Sequence, residues 1–236
     1  MAPDGIVGIG GRLMRVAIAI PAFDAAGSVG AVVRASLQQL PDVLVVDDGS
    51  TDGTAEKARE AGAIVEVLPA NRGKGTALGV AFAALMARGF DGVVTVDADG
   101  QHLPAEIPRL LKIAPEADLV LGTREREFSE MTSLRRFSNR LSSRAISFAA
   151  GQSISDVQTG FRFYSRALIL RLGVPSGRFE AESSLVVRAV RSGLRVRTTP
   201  VKLGFADGMA TSHFRPIIDS VRIAKAVIGA RMGGSA

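Results

Sequence analysis

The sequence predicts a single α/β domain with a mostly parallel central sheet flanked by helices. Short β-rich apolar runs alternate with helical stretches through the first half of the chain, which is the pattern of a parallel sheet covered on both faces. The runs are continuously apolar, as expected for strands buried on both sides. Of the 236 residues, 47% are hydrophobic and 22% are charged, so the chain can bury a sizeable core.

The predicted elements follow strand–helix order as far as residue 121. Strands are predicted at 15–20, 43–46, 63–68, 92–96 and 119–121, with helices at 28–39, 54–61, 76–88 and 104–113. Beyond residue 122 the pattern loosens, into helices at 133–150, 180–192 and 216–231 and strands at 157–164 and 195–203. No proline-rich linker intervenes, so residues 15–236 are interpreted as one domain. The glycine-rich residues 1–14 are expected to form a flexible leader.

Composition excludes several kinds of chemistry. Cysteine is absent, which removes disulfides, thiolate nucleophiles and sulfur-bound zinc, and suits a cytoplasmic location. His102 and His213 are the two histidines, so a multi-histidine metal site is hard to build and any metal should be held by oxygen atoms. No apolar stretch reaches the roughly 18 residues that cross a bilayer, and the N-terminal residues do not resemble a secretory signal.

Charge is divided unevenly along the chain. The net charge of +6 combines −5 for residues 1–120 with +11 for residues 121–236. Such a division suits a protein that handles a metal-bound ligand with one half and an anionic ligand or surface with the other, although solvated surface charge is the alternative. A nucleic-acid partner is not expected, because one tyrosine and no tryptophan leave little for base stacking.

An acidic motif follows the predicted strand 92–96. Asp97, Asp99 and Gln101 place two carboxylates and an amide at the carboxyl end of this strand, where ligands of parallel sheets bind. Carboxylates two residues apart around a turn can hold Mg²⁺ or Mn²⁺ and leave positions for phosphate oxygens. A hydrophilic turn is the alternative interpretation.

A second acidic end follows the strand predicted at 43–46. Asp52 and Thr54 are interpreted as caps of the following helix. The adjacent carboxylates of Asp47 and Asp48 repel each other, so a cation or hydroxyl donors such as those of ribose are expected to use them. The acidic segments that follow the strands 43–46 and 92–96 could therefore contact one ligand from two sides.

Two basic segments are candidates for phosphate binding. Lys74 lies in Asn71-Arg72-Gly73-Lys74-Gly75, which lacks the glycine and hydroxyl residue of a P-loop but could still receive a phosphate at a helix start. On the predicted helix 133–150, Arg136, Arg140 and Arg144 recur every four residues beside an apolar face. Because a guanidinium group can donate two hydrogen bonds to one phosphate, this helix face could bind a phosphate; a solvated surface is the alternative interpretation.

Taken together, these motifs resemble the family 2 glycosyltransferases of the GT-A fold, and among them the polyprenyl-phosphate mannose or glucose synthases. The resemblance covers nearly the whole chain. It rests on the ordered set Pro21-Ala22-Phe23, Asp47-Asp48-Gly49-Ser50-Thr51-Asp52-Gly53-Thr54, Asn71 to Gly75, Asp97 to Gln101, Gly122-Thr123-Arg124 and Gln158-Thr159-Gly160-Phe161-Arg162. It implies a nucleotide-sugar half at 15–122 and an acceptor half at 123–236.

The resemblance also implies roles for particular residues. Asp97, Asp99 and Gln101 would hold the metal on the donor diphosphate. Donor binding would further involve Pro21 and Phe23 on either side of the base, Asp47 or Asp48 at the nucleoside, and Lys74. The acceptor side would include Arg124, Arg135, Asn139, Arg140, His213 and Arg215. The chain departs from the family in having Asp24-Ala25 where relatives commonly have Asn-Glu, and the C-terminal transmembrane helices that many relatives append are not expected from its hydropathy.

The predicted activity is transfer of a sugar from a nucleoside diphosphate sugar to polyprenyl phosphate, with inversion and with Mg²⁺ or Mn²⁺. Asp99 and Arg124 would act in catalysis. Asp156 is preferred over Glu180 and Glu182 as a base, should one be needed. A hydroxyl of a soluble or cell-envelope glycan is the alternative acceptor, and a non-catalytic sugar-nucleotide binder is a third hypothesis. The enzyme is expected in the cytoplasm, with contact to the membrane surface or a membrane subunit as the way to reach a lipid acceptor.

Overall fold

The computed structural model describes residues 6–9, 12–123, 147–148, 151, 154, 156–157, 159–173 and 180–204. Within these residues eight strands form one sheet. The strands are β1 (Ile6–Ile9), β2 (Arg12–Ala22), β3 (Val43–Asp47), β4 (Ile64–Val67), β5 (Gly92–Thr95), β6 (Leu119–Thr123), β7 (Arg162–Ser165) and β8 (Val196–Pro200). Their order is β4-β3-β2-β5-β7-β6-β8, with β1 paired to the first residues of β2.

The sheet is parallel except at β7 and β1. β7 runs antiparallel to both of its neighbours, β5 and β6. An antiparallel strand begins at the edge of the sheet where parallel strands end, so the residues that enter β7 lie beside the carboxyl ends of β5 and β6. The reversal brings residues 159–161 to the edge at which ligands of this kind of sheet bind.

Helices cover both faces of the sheet. They are α1 (Val29–Leu37), α2 (Thr54–Glu60), α3 (Lys74–Ala87), α4 (Ile107–Ile113), α5 (Arg166–Leu172) and α6 (Glu180–Arg191). The buried side chains of β2 alternate between two cores: Ala17 and Ala19 face the cluster that contains α3 and α6, whereas Ile18 and Ile20 face the cluster that contains α1 and α4. No described helix has the length and apolar character that a membrane crossing requires.

The predicted α/β domain with a mostly parallel sheet is confirmed, and three elements differ from the prediction. Residues expected in a flexible leader form β1 and extend β2 back to Arg12, because backbone pairing outweighs the glycine content there. The strand predicted at 157–164 is limited to Arg162–Ser165, and α5 was not predicted. The helix predicted at 216–231, and 133–150 apart from residues 147–148, lie outside the described residues.

Candidate active site

The loops that follow β2, β3 and β5 are joined by side-chain hydrogen bonds at the carboxyl edge of the sheet. The Ser28 hydroxyl donates to the Ala98 carbonyl at 2.6 Å, and the amide of Ala26 donates to Asp52 Oδ2 at 2.9 Å. Asp52 Oδ1 accepts from the amide of Thr54 at 3.0 Å, but Gly53 and not Asp52 or Thr54 occupies the N-cap position of α2, so neither residue is the predicted cap. Although burial tends to raise the pKa of Asp52, these hydrogen bonds outweigh it and lower that pKa.

Both aspartates that follow β3 shape loops with their carboxylates. Asp47 Oδ1 accepts from the amide and the hydroxyl of Ser50, at 2.9 and 2.5 Å. The two oxygens of Asp48 accept from the amides of Arg72 and Gly73, at 2.8 and 2.7 Å. Asp47 is 2% and Asp48 is 3% exposed. The structure therefore gives both residues a positioning role that the sequence did not indicate, and their contact with a nucleoside remains a prediction.

Asp48 holds the segment that leads into α3 against the turn after β3. Gly49 in this turn has φ +76°, and a Cβ there would lie 2.6 Å from the carbonyl carbon of Ala70. Only glycine allows both the backbone angle and the close approach. The contact places Ala70 beside the turn after β3, shortly before α3 begins at Lys74.

Lys74 lies between two carboxylates from distant parts of the chain. Its Nζ is 2.6 Å from Asp97 Oδ1, at the end of β5, and 2.8 Å from Glu182 Oε2, in the first turn of α6. Burial acts to lower the pKa of Lys74, but the charges of Asp97 and Glu182 outweigh it and raise that pKa above its ordinary value. The side chain is therefore an ammonium ion that joins the end of β5 to the first turn of α6.

The second oxygen of the Asp97 carboxylate faces His102, in the loop after β5, and Gly160, just before β7. His102 Nδ1 lies 3.7 Å from Asp97 Oδ2, and the His102 ring stacks on Phe161 with 5.5 Å between centroids. The second ring nitrogen of His102 is 3.3 Å from the Thr159 hydroxyl. A Cβ at Gly160 would lie 2.6 Å from the carboxyl carbon of Asp97, so the absence of a side chain there makes room for this carboxylate.

Arg162 fixes the segment that carries Thr159 and Gly160. The side chain is fully buried and donates to three carbonyl oxygens: Nε to Thr159 at 2.7 Å, Nη2 to Val157 at 2.7 Å and Nη1 to Glu182 at 2.9 Å. Its Nε is also 3.7 Å from Glu182 Oε1. One guanidinium group therefore holds the start of β7 and the first turn of α6 together.

The predicted metal ligands Asp97, Asp99 and Gln101 lie on one turn at the end of β5. The amide of Gln101 donates to Asp99 Oδ1 at 3.0 Å, which closes the turn. Within the described part of the chain, no three His, Cys, Asp or Glu side chains are grouped closely enough to form a metal site by themselves. Two carboxylates and an amide oxygen nevertheless suit Mg²⁺ or Mn²⁺ when a diphosphate supplies further oxygens.

Other predicted residues have different positions. Pro21, the second-last residue of β2, and Phe23 just after this strand are half-buried at the same edge of the sheet. Asp156 is 1% exposed and has φ +46°, and its role as a base remains a prediction. Six residues predicted on the acceptor side lie outside the described residues: Arg124, Arg135, Asn139, Arg140, His213 and Arg215.

Replacing Gly160 with alanine should displace the side chain of Asp97. The added methyl group would overlap the carboxylate, so we expect a loss of about 2 kcal/mol in the free energy of unfolding and weaker binding of Mn²⁺. Urea unfolding and titration with Mn²⁺ measure the two effects. Gly79→Ala in α3 is the matched control, since a Cβ there meets nothing within 4 Å. A Gly160→Ala protein with unchanged stability and Mn²⁺ affinity would contradict this role.

With this geometry established, comparison with known proteins defines the class. The chain belongs to glycosyl transferase family 2, whose family model matches residues 17–173, and it is therefore a glycosyltransferase. Its structure is similar to glucosyl-3-phosphoglycerate synthase of Mycobacterium tuberculosis, with a TM-score of 0.72 and 21% identity over 94% of this chain and 81% of that one. The predicted family and GT-A fold are confirmed.

Relatives in sequence include enzymes named for polyprenyl-phosphate acceptors. An undecaprenyl-phosphate mannosyltransferase of Micrococcus luteus is 32% identical over 202 residues, covering 80% of this chain and 83% of the relative. The glycosyltransferase AglJ of Haloferax volcanii is 31% identical, covering 78% of this chain and 61% of the relative. An undecaprenyl-phosphate 4-deoxy-4-formamido-L-arabinose transferase of Pseudomonas fluorescens is 33% identical, covering 65% of this chain and 48% of the relative.

Proposed function

We propose that this glycosyltransferase moves a sugar from a nucleoside diphosphate sugar to polyprenyl phosphate, with Mg²⁺ or Mn²⁺ and with inversion at the anomeric carbon. The observation that carries the proposal is the 32% identity with the M. luteus undecaprenyl-phosphate mannosyltransferase, which extends over 80% of the chain. The formamido-arabinose transferase supports the same class of acceptor with a different sugar. The chemistry of the acceptor, rather than that of the sugar, is therefore what these relatives share.

The donor would bind at the carboxyl ends of β2, β3 and β5. Asp97, Asp99 and Gln101 would hold the metal, which when bound would neutralise charge on the leaving diphosphate. Pro21 and Phe23 would flank the base, Asp47 or Asp48 would contact the nucleoside, and Lys74 would contact the diphosphate. A M. tuberculosis synthase of the same fold, 20% identical to this chain, has a structure with Mn²⁺ and UDP-glucose. That complex agrees with the proposed donor and metal.

The arrangement of carboxylates supports a phosphate acceptor. A hydroxyl acceptor needs a base, whereas a phosphate is already anionic and needs placement and charge screening. Of the three candidate bases, Glu182 is engaged with Lys74 and Asp156 is 1% exposed, whereas the side chain of Glu180 lies outside the described part of the chain. An oxygen of the acceptor phosphate would form the bond to the anomeric carbon while the bond from that carbon to the diphosphate oxygen breaks. Attack from the face opposite the leaving group would invert the anomeric centre.

The acceptor would meet the positively charged half of the chain. Arg124, Arg135, Asn139, Arg140, His213 and Arg215 would form its phosphate site. A polyprenyl tail stays in lipid, so the site must come close to the membrane surface, and the +11 charge of residues 121–236 would be attracted to anionic headgroups at the inner face of the cell membrane. Peripheral binding or a membrane subunit would provide this approach.

The test is a screen of uridine and guanosine diphosphate sugars with Mn²⁺, comparing undecaprenyl phosphate in anionic vesicles with water-soluble glycan alcohols. We expect transfer to the lipid phosphate, and vesicle co-sedimentation that weakens as salt rises. Arg135→Ala should raise the apparent KM for the acceptor with little change in nucleotide affinity. Arg171→Ala, an exposed arginine of α5, is the matched control. Better transfer to a soluble alcohol, with no vesicle binding at low salt, would replace the lipid acceptor by a glycan.

A further inference from the structure

The Lys74 cluster is an ion-pair group enclosed by the protein. The side chains of Lys74, Asp97 and Glu182 are 15%, 23% and 5% exposed. The exposed pair Lys57–Glu60 has the same 2.8 Å separation as Lys74–Glu182, but its side chains are 56% and 63% exposed. Solvent screens a pair like Lys57–Glu60 until it contributes little, whereas charges that are mostly enclosed interact strongly. A change in one member of the Lys74 cluster should therefore alter the others.

The carboxylates of the cluster are paired with cations from the described part of the chain. Two carboxylates, Asp97 and Glu182, face two cations, because Arg162 Nε lies 3.7 Å from Glu182 Oε1 while Lys74 touches both carboxylates. Lys74 lies against Asp97 Oδ1, one of the two oxygens through which Asp97 could bind a divalent cation. The ammonium group and a divalent cation would therefore compete for the same carboxylate.

Glu182 is fixed well enough to hold the ammonium group independently of Asp97. Its own main-chain carbonyl accepts from Arg162 Nη1 at 2.9 Å, and its side chain is 5% exposed in the first turn of α6. Its Oε2 lies 2.8 Å from Lys74 Nζ. The position of Glu182 is thus set by Arg162 and α6, and not by the turn that carries Asp97.

We propose that Lys74 is the resident counter-cation of Asp97, and that Glu182 is a positioning residue that retains the Lys74 ammonium when Asp97 is engaged by a divalent cation. The inference rests on the metal site of the proposed function. It assigns to Glu182 the control of how strongly Lys74 competes for Asp97. It also places Lys74 beside the metal site, where a diphosphate would meet it.

The test is the affinity for Mn²⁺ without nucleotide, followed by the electron paramagnetic resonance signal of free Mn²⁺. Lys74→Met removes the competitor and should raise the affinity roughly tenfold. Glu182→Gln removes one of the two carboxylates that share Lys74. The Lys74 ammonium should then interact more strongly with Asp97, and the Mn²⁺ affinity should fall roughly tenfold. Glu60→Gln, in the exposed pair, is the matched control and should leave the affinity unchanged.

The double variant separates the proposed action of Glu182 from a direct effect of its charge. If Glu182 acts through Lys74, Glu182→Gln in the Lys74→Met background should change the Mn²⁺ affinity by less than about twofold. An effect as large as in the wild-type background would overturn the inference, and so would a Lys74→Met protein with unchanged or weaker Mn²⁺ binding. Should Lys74→Met fail to fold, Lys74→Gln takes its place, because it removes the charge and keeps a polar side chain between the two carboxylates.

Failure of the proposed metal site gives a different result. A wild-type protein that does not bind Mn²⁺, alone or with a nucleoside diphosphate, would overturn the metal site of the proposed function and this inference with it. Wild-type binding of Mn²⁺ combined with an undiminished effect of Glu182→Gln in the Lys74→Met background would overturn the inference alone.

Discussion

Asp99→Asn is expected to lower kcat about a thousandfold while the protein stays folded. Removal of one carboxylate from the proposed metal site would take away several kcal/mol of transition-state stabilisation, and each 1.4 kcal/mol corresponds to about tenfold in rate. Asparagine keeps an oxygen that can accept the hydrogen bond from the Gln101 amide, so the turn is retained. Initial rates at saturating Mn²⁺ and urea unfolding curves measure the two quantities, and the free energy of unfolding should change by less than about 1 kcal/mol.

Asp42→Asn provides the matched control for Asp99→Asn. Asp42 precedes β3 at the opposite edge of the sheet and pairs with Arg88 at 3.3 Å, so the same chemical change there should leave kcat unaltered. Full activity of a folded Asp99→Asn protein, or full activity of the wild type in excess chelator, would refute the metal assignment.

Arg162→Met should cause a large loss of stability. The guanidinium group is fully buried and donates to the carbonyls of Thr159, Val157 and Glu182, so methionine would leave three buried acceptors without these donors. It would also remove a cation near the Glu182 carboxylate. Breaking a buried charged network of this kind costs about 3–5 kcal/mol. Equilibrium unfolding in urea measures the change.

The control for this variant is Arg166→Met. Arg166 is partly buried and donates to the carbonyls of Met86 and Phe90 at the other edge of the sheet, so its loss should cost about 1–2 kcal/mol. If Arg162→Met unfolded within about 1 kcal/mol of the wild type, other donors must satisfy the three carbonyls, and Arg162 would not organise the site.

Hydropathy patterns predicted most of the fold because the parallel strands are buried on both faces. The run Val43-Leu44-Val45-Val46 is wholly buried in β3, as its continuous apolar character indicates. The direction of a strand leaves no such trace, so the reversal of β7 was not predicted. α5 was missed because its run Ala167-Leu168-Ile169-Leu170 is continuously apolar and not spaced at a helical period, and β1 because its glycines resemble those of a flexible segment.

The candidate site was predicted only where its residues are neighbours in sequence. The turn that carries Asp97, Asp99 and Gln101 is local, and the sequence located it at the end of a strand. The contact between Lys74 and Glu182 joins α3 to α6, and no spacing rule relates two such distant positions. The sequence indicates Glu182 only as a candidate base, whereas the structure pairs it with Lys74; the acidic residues of Glu180-Ala181-Glu182 at a helix start are the local signal for such a role.

The insertion of β7 between β5 and β6 makes the two halves of the enzyme inseparable. β6 belongs to the segment expected to bind the nucleotide sugar, yet it joins that part of the sheet through β7, which comes later in the chain. A polypeptide ending before Arg162 would leave one edge of β5 open and β6 without its place beside β7. During synthesis the sheet can close only after residue 165 is available, and such long-range closure is slow. The strands of residues 15–122 therefore cannot complete their sheet in this chain without residues 162–165, so this segment cannot be exchanged as an independent module.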